Sequence, residues 1–168
     1  IPVTHRDCCP PLHIVTGHQR AGKELDIDFD ALVATRGTLV FLMGVSALPQ
    51  ICEGLLKAGM DPHTPAAIVE RGTTPAQRRI SATLSTLAQA AQDHQVVSPA
   101  ISVVGGVCAL ADSFDWFDAL PLKGRTFVVT RPAARKGTLA QGLRELGAKV
   151  WEYPCIHTTP ITPCPPLT

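Results

Sequence analysis

The residues with chemistry to offer stand at the ends of apolar runs. His18 follows His13-Ile14-Val15-Thr16-Gly17, and an imidazole at such a strand edge could hydrogen-bond an acidic ligand. Met43-Gly44 closes the run Leu39-Val40-Phe41-Leu42, and Gly44 allows a ligand to come close to the backbone. Gly72-Thr73-Thr74 follows Ala66-Ala67-Ile68-Val69-Glu70 and lacks side chains that would block a ligand. Arg6, in Thr4-His5-Arg6-Asp7, carries a guanidinium able to fork onto a carboxylate. Gln77-Arg78-Arg79 could hold an anion or form a solvated charge run. Each position also has a structural reading, as a core methionine, a strand-end turn or an exposed loop. The residues alone leave both readings open. Taken together, the strand ends at Gly17-His18, Met43-Gly44 and Gly72-Thr73 suggest one ligand rim.

Elements must hold that rim in place. The run from Leu39 to Met43, bounded by Gly37 and Gly44, reads as a strand buried on both faces. Ser46 can cap the next helix, Pro49 suits its first turn, and Leu48, Ile51, Cys52, Leu55 and Leu56 follow helical spacing up to Gly59. Met43-Gly44 is therefore expected at the carboxyl end of a buried strand, where open α/β sheets bind ligands. Residues 13–16, 66–70, 79–83 and 100–104 read as further strands. Short helices are expected around Ile27, Leu32 and Val33, capped by Asp26 or Asp28, and around Leu84, Leu87, Ala88 and Ala91, capped by Thr83. Alternating strands and helices argue for an α/β layer structure. The two close strands within 66–83 add a hairpin and make the sheet mixed.

Composition narrows the class. Hydrophobic residues make up 45% and charged residues 17% of the 168, the profile of a globular chain. A formal net charge of +1 provides no broad field for nucleic acid or an anionic membrane, so neither is an expected partner. No apolar run nears the roughly 20 residues of a membrane span. The six cysteines, at 8, 9, 52, 108, 155 and 164, form no C-x-x-C pair and no zinc spacing with the six histidines. Cys52 and Cys108 lie in apolar patterns and read as packed thiols. The expected setting is a reducing cytoplasm, with no metal. The chain begins Ile1-Pro2-Val3 without a methionine, so its true start is expected upstream.

The pattern changes near residue 112. Asp112 to Lys123 is aromatic and acidic and reads as a connector. A new β-α-β pattern follows, from strand 125–130 through a helix on Leu139, Leu143 and Leu146, ended by Gly147, to strand 149–153. Five prolines then occupy the last fifteen residues. The expected organisation is a first domain over 1–118 and, over 119–168, a connector with the opening of a second domain.

A family resemblance goes further. T-H-R-D (4–7), H-I-V-T-G-H (13–18), G-T-L-V-F-L-M-G (37–44), A-A-I-V-E-R-G-T-T-P-A-Q-R (66–78), S-P-A-I-S-V-V-G (98–105) and D-W-F (115–117) resemble, in order and spacing, the C-terminal half of the uroporphyrinogen-III C-methyltransferases, a branch of the tetrapyrrole methylases. L-P-L-K-G-R-T-F-V-V-T-R-P (120–132) with L-R-E-L-G-A-K-V (143–150) is similar to the start of uroporphyrinogen-III synthase.

The resemblance implies a mixed sheet of about five strands flanked by helices. It implies transfer of methyl groups from S-adenosylmethionine to uroporphyrinogen III, giving precorrin-2 for sirohaem and cobalamin synthesis, in a homodimer and without a metal. By motif, Met43 would touch both donor and tetrapyrrole, and Gly72 would meet the adenosine. Arg6 and His18 would face the carboxylate-rich tetrapyrrole. Cys8-Cys9-Pro10-Pro11 and Ala111 depart from the usual pattern. The glycine-rich loop and acid–base groups that this family carries on its N-terminal domain are not in this sequence, so no catalytic residue is assigned and the expected chain is half of a site, inactive alone. The rival expectations are a non-enzymatic dimerisation or binding module, a methylase of a later corrinoid precursor, and, least favoured, synthase activity in 122–168.

Overall fold

The computed structural model describes residues 1–8, 11–17, 25–131, 138–157 and 159. It divides into two compact units, Ile1–Asp118 and Ala119–Thr168.

The first unit is a five-strand mixed sheet flanked by helices. Its strands are β1 (Leu12–Thr16), β2 (Thr38–Leu42), β3 (Pro65–Glu70), β4 (Arg78–Thr83) and β5 (Ala100–Val104), in the spatial order β1-β2-β5-β3-β4. β1 and β2 are parallel, while β5 runs antiparallel to both of its neighbours, β2 and β3. β3 and β4 form the expected hairpin. It follows that β1, β2 and β3 all end at one edge of the sheet, where β4 and β5 begin. The apolar run of β2 is buried as its composition demands, with Leu39 and Phe41 fully enclosed.

The two faces of the sheet are covered differently. Leu39, Phe41, Ile68 and Val104 pack against α1 (Phe29–Ala34), α2 (Leu48–Lys57) and α3 (Leu87–Asp93). Val40, Ala67 and Val103 lie on the other face, under the 3-10 turn Gly106–Leu110 that carries Val107 and Cys108. Both expected packed thiols are buried, and burial pushes the Cys52 thiol up to about 11, so it carries no thiolate near neutral pH.

Local signals were only partly legible. Asp28 caps α1, its Oδ1 accepting from the Ala31 amide at 2.9 Å. Ser46 does not cap α2, and Thr83 does not cap α3. The N-cap residues are Ala47 and Thr86, neither with a side-chain cap bond: α2 begins at Leu48, one residue beyond the expected start, and α3 at Leu87, one turn beyond it. Met43, expected to be the last residue of the strand, stands just outside β2 with φ 55°.

The second unit pairs β6 (Thr126–Val129) with β7 (Lys149–Glu152) in parallel, joined through α4 (Thr138–Glu145). This is the β-α-β pattern read in the sequence. Ala140 and Ala148 are buried, while Val128, Trp151 and Tyr153 are exposed. No helix among the described residues is long and apolar enough to cross a membrane.

Candidate functional site

The edge where β1, β2 and β3 end holds a cavity of about 920 Å³. Its floor is set by register. Leu42 is the cross-strand partner of Ile101, and Ile101 is the partner of Val69, so three central strands present one apolar row. Met43 and Ser46 line one side, the loop Arg71–Thr74 another, and Ser98-Pro99 a third. Met43 and Gly72, taken separately from the sequence, thus line one cavity.

The backbone around this cavity is unusual. Among the described residues, five non-glycine ones have positive φ: Arg36, Met43, Arg71, Thr73 and Gln95. Arg36 and Gln95 follow the ends of α1 and α3, where a left-handed residue commonly terminates a helix. Met43, Arg71 and Thr73 terminate no helix, and all three line the cavity. Such conformations cost roughly 1–3 kcal/mol each and persist where the surroundings over-determine them.

Those surroundings can be named. The Arg71 amide donates to the Pro99 carbonyl at 2.8 Å, and the Thr74 hydroxyl donates to the Arg71 carbonyl at 2.7 Å. The Thr73 amide donates to Gln77 Oε1 at 2.8 Å. Below the loop, Glu70 is buried and its Oε2 accepts from Arg78 Nε, its cross-strand partner. Gly72 stays outside the left-handed region, and a methyl placed on it would meet nothing closer than Val69 Cγ1 at 3.4 Å.

Gly17 and Gly44 bring the β1 end to the same edge. A methyl on Gly17 would stand 2.7 Å from the Gly44 Cα, and the Gly17 amide donates to the Leu42 carbonyl at 2.7 Å. Only residues without a side chain allow two strand ends to approach so closely. His18 lies outside the described residues. Arg6 does not join the large cavity. With Thr4, His5 and Asp7 it lines a separate hollow of about 500 Å³.

The run Gln77-Arg78-Arg79 is committed elsewhere. Arg78 serves Glu70, and Arg79 reaches Asp112 at 2.6 Å and Asp115 at 3.4 Å. The acidic stretch read as a connector is therefore tied to the first unit at its start. What the sequence reading missed is Arg71 and the segment Ser98–Ile101. Their place in the cavity depends on β5 inserting antiparallel between β2 and β3, which no local spacing reveals.

Chemically, the cavity suits a ligand with an apolar body and anionic groups. Its described lining holds hydroxyls and one guanidinium but no histidine, carboxylate, thiol or lysine. It can align and enclose, but its described side chains cannot take up a proton near neutral pH. No cluster of metal-binding side chains occurs among the described residues.

Comparison with known proteins gives a family. The profile described as Tetrapyrrole (Corrin/Porphyrin) Methylases matches residues 1–88. The chain is 52% identical over 161 residues to "Porphyrin biosynthesis protein HemD" of Ruminiclostridium josui, covering 96% of this chain and 32% of that protein. It is 36% identical over 155 residues to "Uroporphyrinogen-III C-methyltransferase" of Bacillus subtilis, covering 92% and 32%. The chain thus spans about a third of the length of these relatives. Among solved structures, the uroporphyrin-III C-methyl transferase of Thermus thermophilus complexed with S-adenyl homocysteine is similar, with a TM-score of 0.56 and 34% identity over 65% of this chain and 48% of that one.

Proposed function

The chain belongs to the tetrapyrrole methylases, and from that premise we propose that it forms one wall of a site for S-adenosylmethionine-dependent C-methylation of uroporphyrinogen III to precorrin-2. The observation that carries this reading is the cavity that Met43 and Gly72 line together. The names of the relatives and the S-adenyl homocysteine bound in the Thermus thermophilus protein support it.

The donor supplies a sulfonium-bound methyl group, and this chain's residues provide placement. Met43, 59% exposed and turned out of its strand, offers an apolar side chain to the reacting region. Gly72 leaves its backbone open to the adenosine portion. Leu42, Ile101 and Val69 exclude water beneath both. Arg6 and His18 meet the tetrapyrrole carboxylates. The reaction chiefly needs alignment of two reactants and placement of charge.

The cavity is open to one side, and the opposing wall with its acid–base groups belongs to another domain. Alignment can contribute about 7–11 kcal/mol to lowering a barrier. The 168-residue chain alone is therefore expected to bind S-adenosylhomocysteine or uroporphyrin weakly and to give no measurable methyl transfer. Calorimetry and a methyl-transfer assay test the two parts. Turnover near 1 s⁻¹ or faster, within the usual enzyme range of about 1–10³ s⁻¹, would contradict the one-wall reading. Residues 119–168 are proposed as the start of a uroporphyrinogen-III synthase-like domain. Similarity to the Ruminiclostridium josui protein, over 161 residues, continues past Asp118 and supports this.

A further inference from the structure

We propose that Arg71 is the anion-recognition residue of the cavity, its guanidinium taking a carboxylate of the bound ligand. The inference rests on the reading of this cavity as a donor and tetrapyrrole site. Three arginines fall within residues 71–79, and the structure distinguishes them. Arg79 is held by Asp112 and Asp115, and its side chain is only 17% exposed. Arg78 gives its Nε to buried Glu70 and its Nη2 to the Gln95 carbonyl at 3.2 Å. Arg71 makes no side-chain hydrogen bond among the described residues. Its nearest anion is Glu70 Oε1, 3.7 Å from Nε, on a carboxylate that already serves Arg78.

One carboxylate between two guanidinium groups leaves the cluster with one net positive charge. That surplus sits on Arg71, the one charged side chain among the described residues of the cavity wall. Its side chain is 49% exposed. Its backbone is pinned on both sides, through its amide to Pro99 and its carbonyl to Thr74, in the left-handed region. A cation on a fixed backbone, with free planar donors facing an apolar cavity, matches a ligand with a carboxylate beyond an apolar body. Two ligands of the proposed reaction offer one, the acidic tetrapyrrole and the amino-acid end of the donor.

The test compares wild type, Arg71→Gln and Arg71→Lys of the full chain, with Gly72→Ala as the reference for the cavity itself. Uroporphyrin III is titrated by fluorescence. S-adenosylhomocysteine and methylthioadenosine, which lacks the amino-acid end, are titrated by calorimetry. Losing one charge-assisted contact at a half-exposed site is expected to weaken binding about tenfold in Arg71→Gln, with partial recovery in Arg71→Lys. Loss confined to uroporphyrin assigns the carboxylate to the tetrapyrrole. Loss for S-adenosylhomocysteine but not for methylthioadenosine assigns it to the donor. Affinities within twofold of wild type in Arg71→Gln, while Gly72→Ala weakens binding, would overturn the Arg71 assignment and leave the proposed function standing. A wild-type chain that binds neither ligand would overturn both.

Discussion

The two ends of the five-strand sheet are built in opposite ways. At the end where β2 and β3 begin, the chain is closed on itself. The Thr38 amide bonds the Pro11 carbonyl, the Gly105 amide bonds the Pro65 carbonyl, and the Leu84 amide bonds the Thr64 carbonyl, each at 2.9 Å. Thr38 is fully buried there. At the end where β2 and β3 finish, Met43 and Arg71 stand exposed around a cavity, on backbone that costs energy to hold. One end is closed by hydrogen bonds and packing, and the other leaves the cavity that we propose receives a ligand. Substitutions at the two ends should therefore fail in different assays.

The largest effect is expected at the foundation of the open end. Arg78→Ala leaves the buried Glu70 carboxylate without its principal partner. Breaking a fully buried pair costs about 3–5 kcal/mol, and the half-exposed Arg78 with Arg71 nearby places this one near 3 kcal/mol. Urea unfolding would read it, and a loss under 1 kcal/mol would show that the loop does not rest on this pair. Next comes Gly37→Ala at the closed end. Its new methyl would lie 2.7 Å from the Pro11 carbonyl oxygen, and overpacking of this kind costs about 1–3 kcal/mol. Gly72→Ala is the matching change at the open end, where it is expected to cost under about 0.5 kcal/mol while weakening ligand binding. Equal stability losses at Gly37 and Gly72 would erase the contrast. Opposite in sign is Thr73→Gly, which relieves a β-branched residue from φ 63°. The relief, offset by the freer unfolded chain, should raise stability by roughly 0.5–1 kcal/mol and loosen the loop.

The same contrast explains what could be read in advance. The closed, packed parts followed from pattern. The run from Leu39 gave a doubly buried strand, Asp28 gave a cap, and the 66–83 stretch gave a hairpin. The open end was only half legible. Met43 and Gly72 were visible as strand-end residues, but their meeting depends on sheet order, which is set by long-range pairing. Arg71 was hidden for a sharper reason. In the sequence it is one arginine among three, and only the carboxylates that claim Arg78 and Arg79 distinguish it. Helix starts were misread by different amounts: at Thr83 the apolar periodicity began a turn before the helical backbone did, whereas Ser46 lies one residue ahead of the actual cap position, Ala47.

The chain's two methionines, Met43 and Met60, allow the most direct measurement. Met43 lines the cavity, while Met60 packs against the helix-covered core. With ¹³C-methyl methionine labelling, each reports one environment. Adding S-adenosylhomocysteine or uroporphyrin III should shift the Met43 methyl signal progressively to saturation and leave Met60 in place. Saturating ligand that moves only Met60, or neither signal, would contradict the claim that this cavity is the wall of a methyl-transfer site.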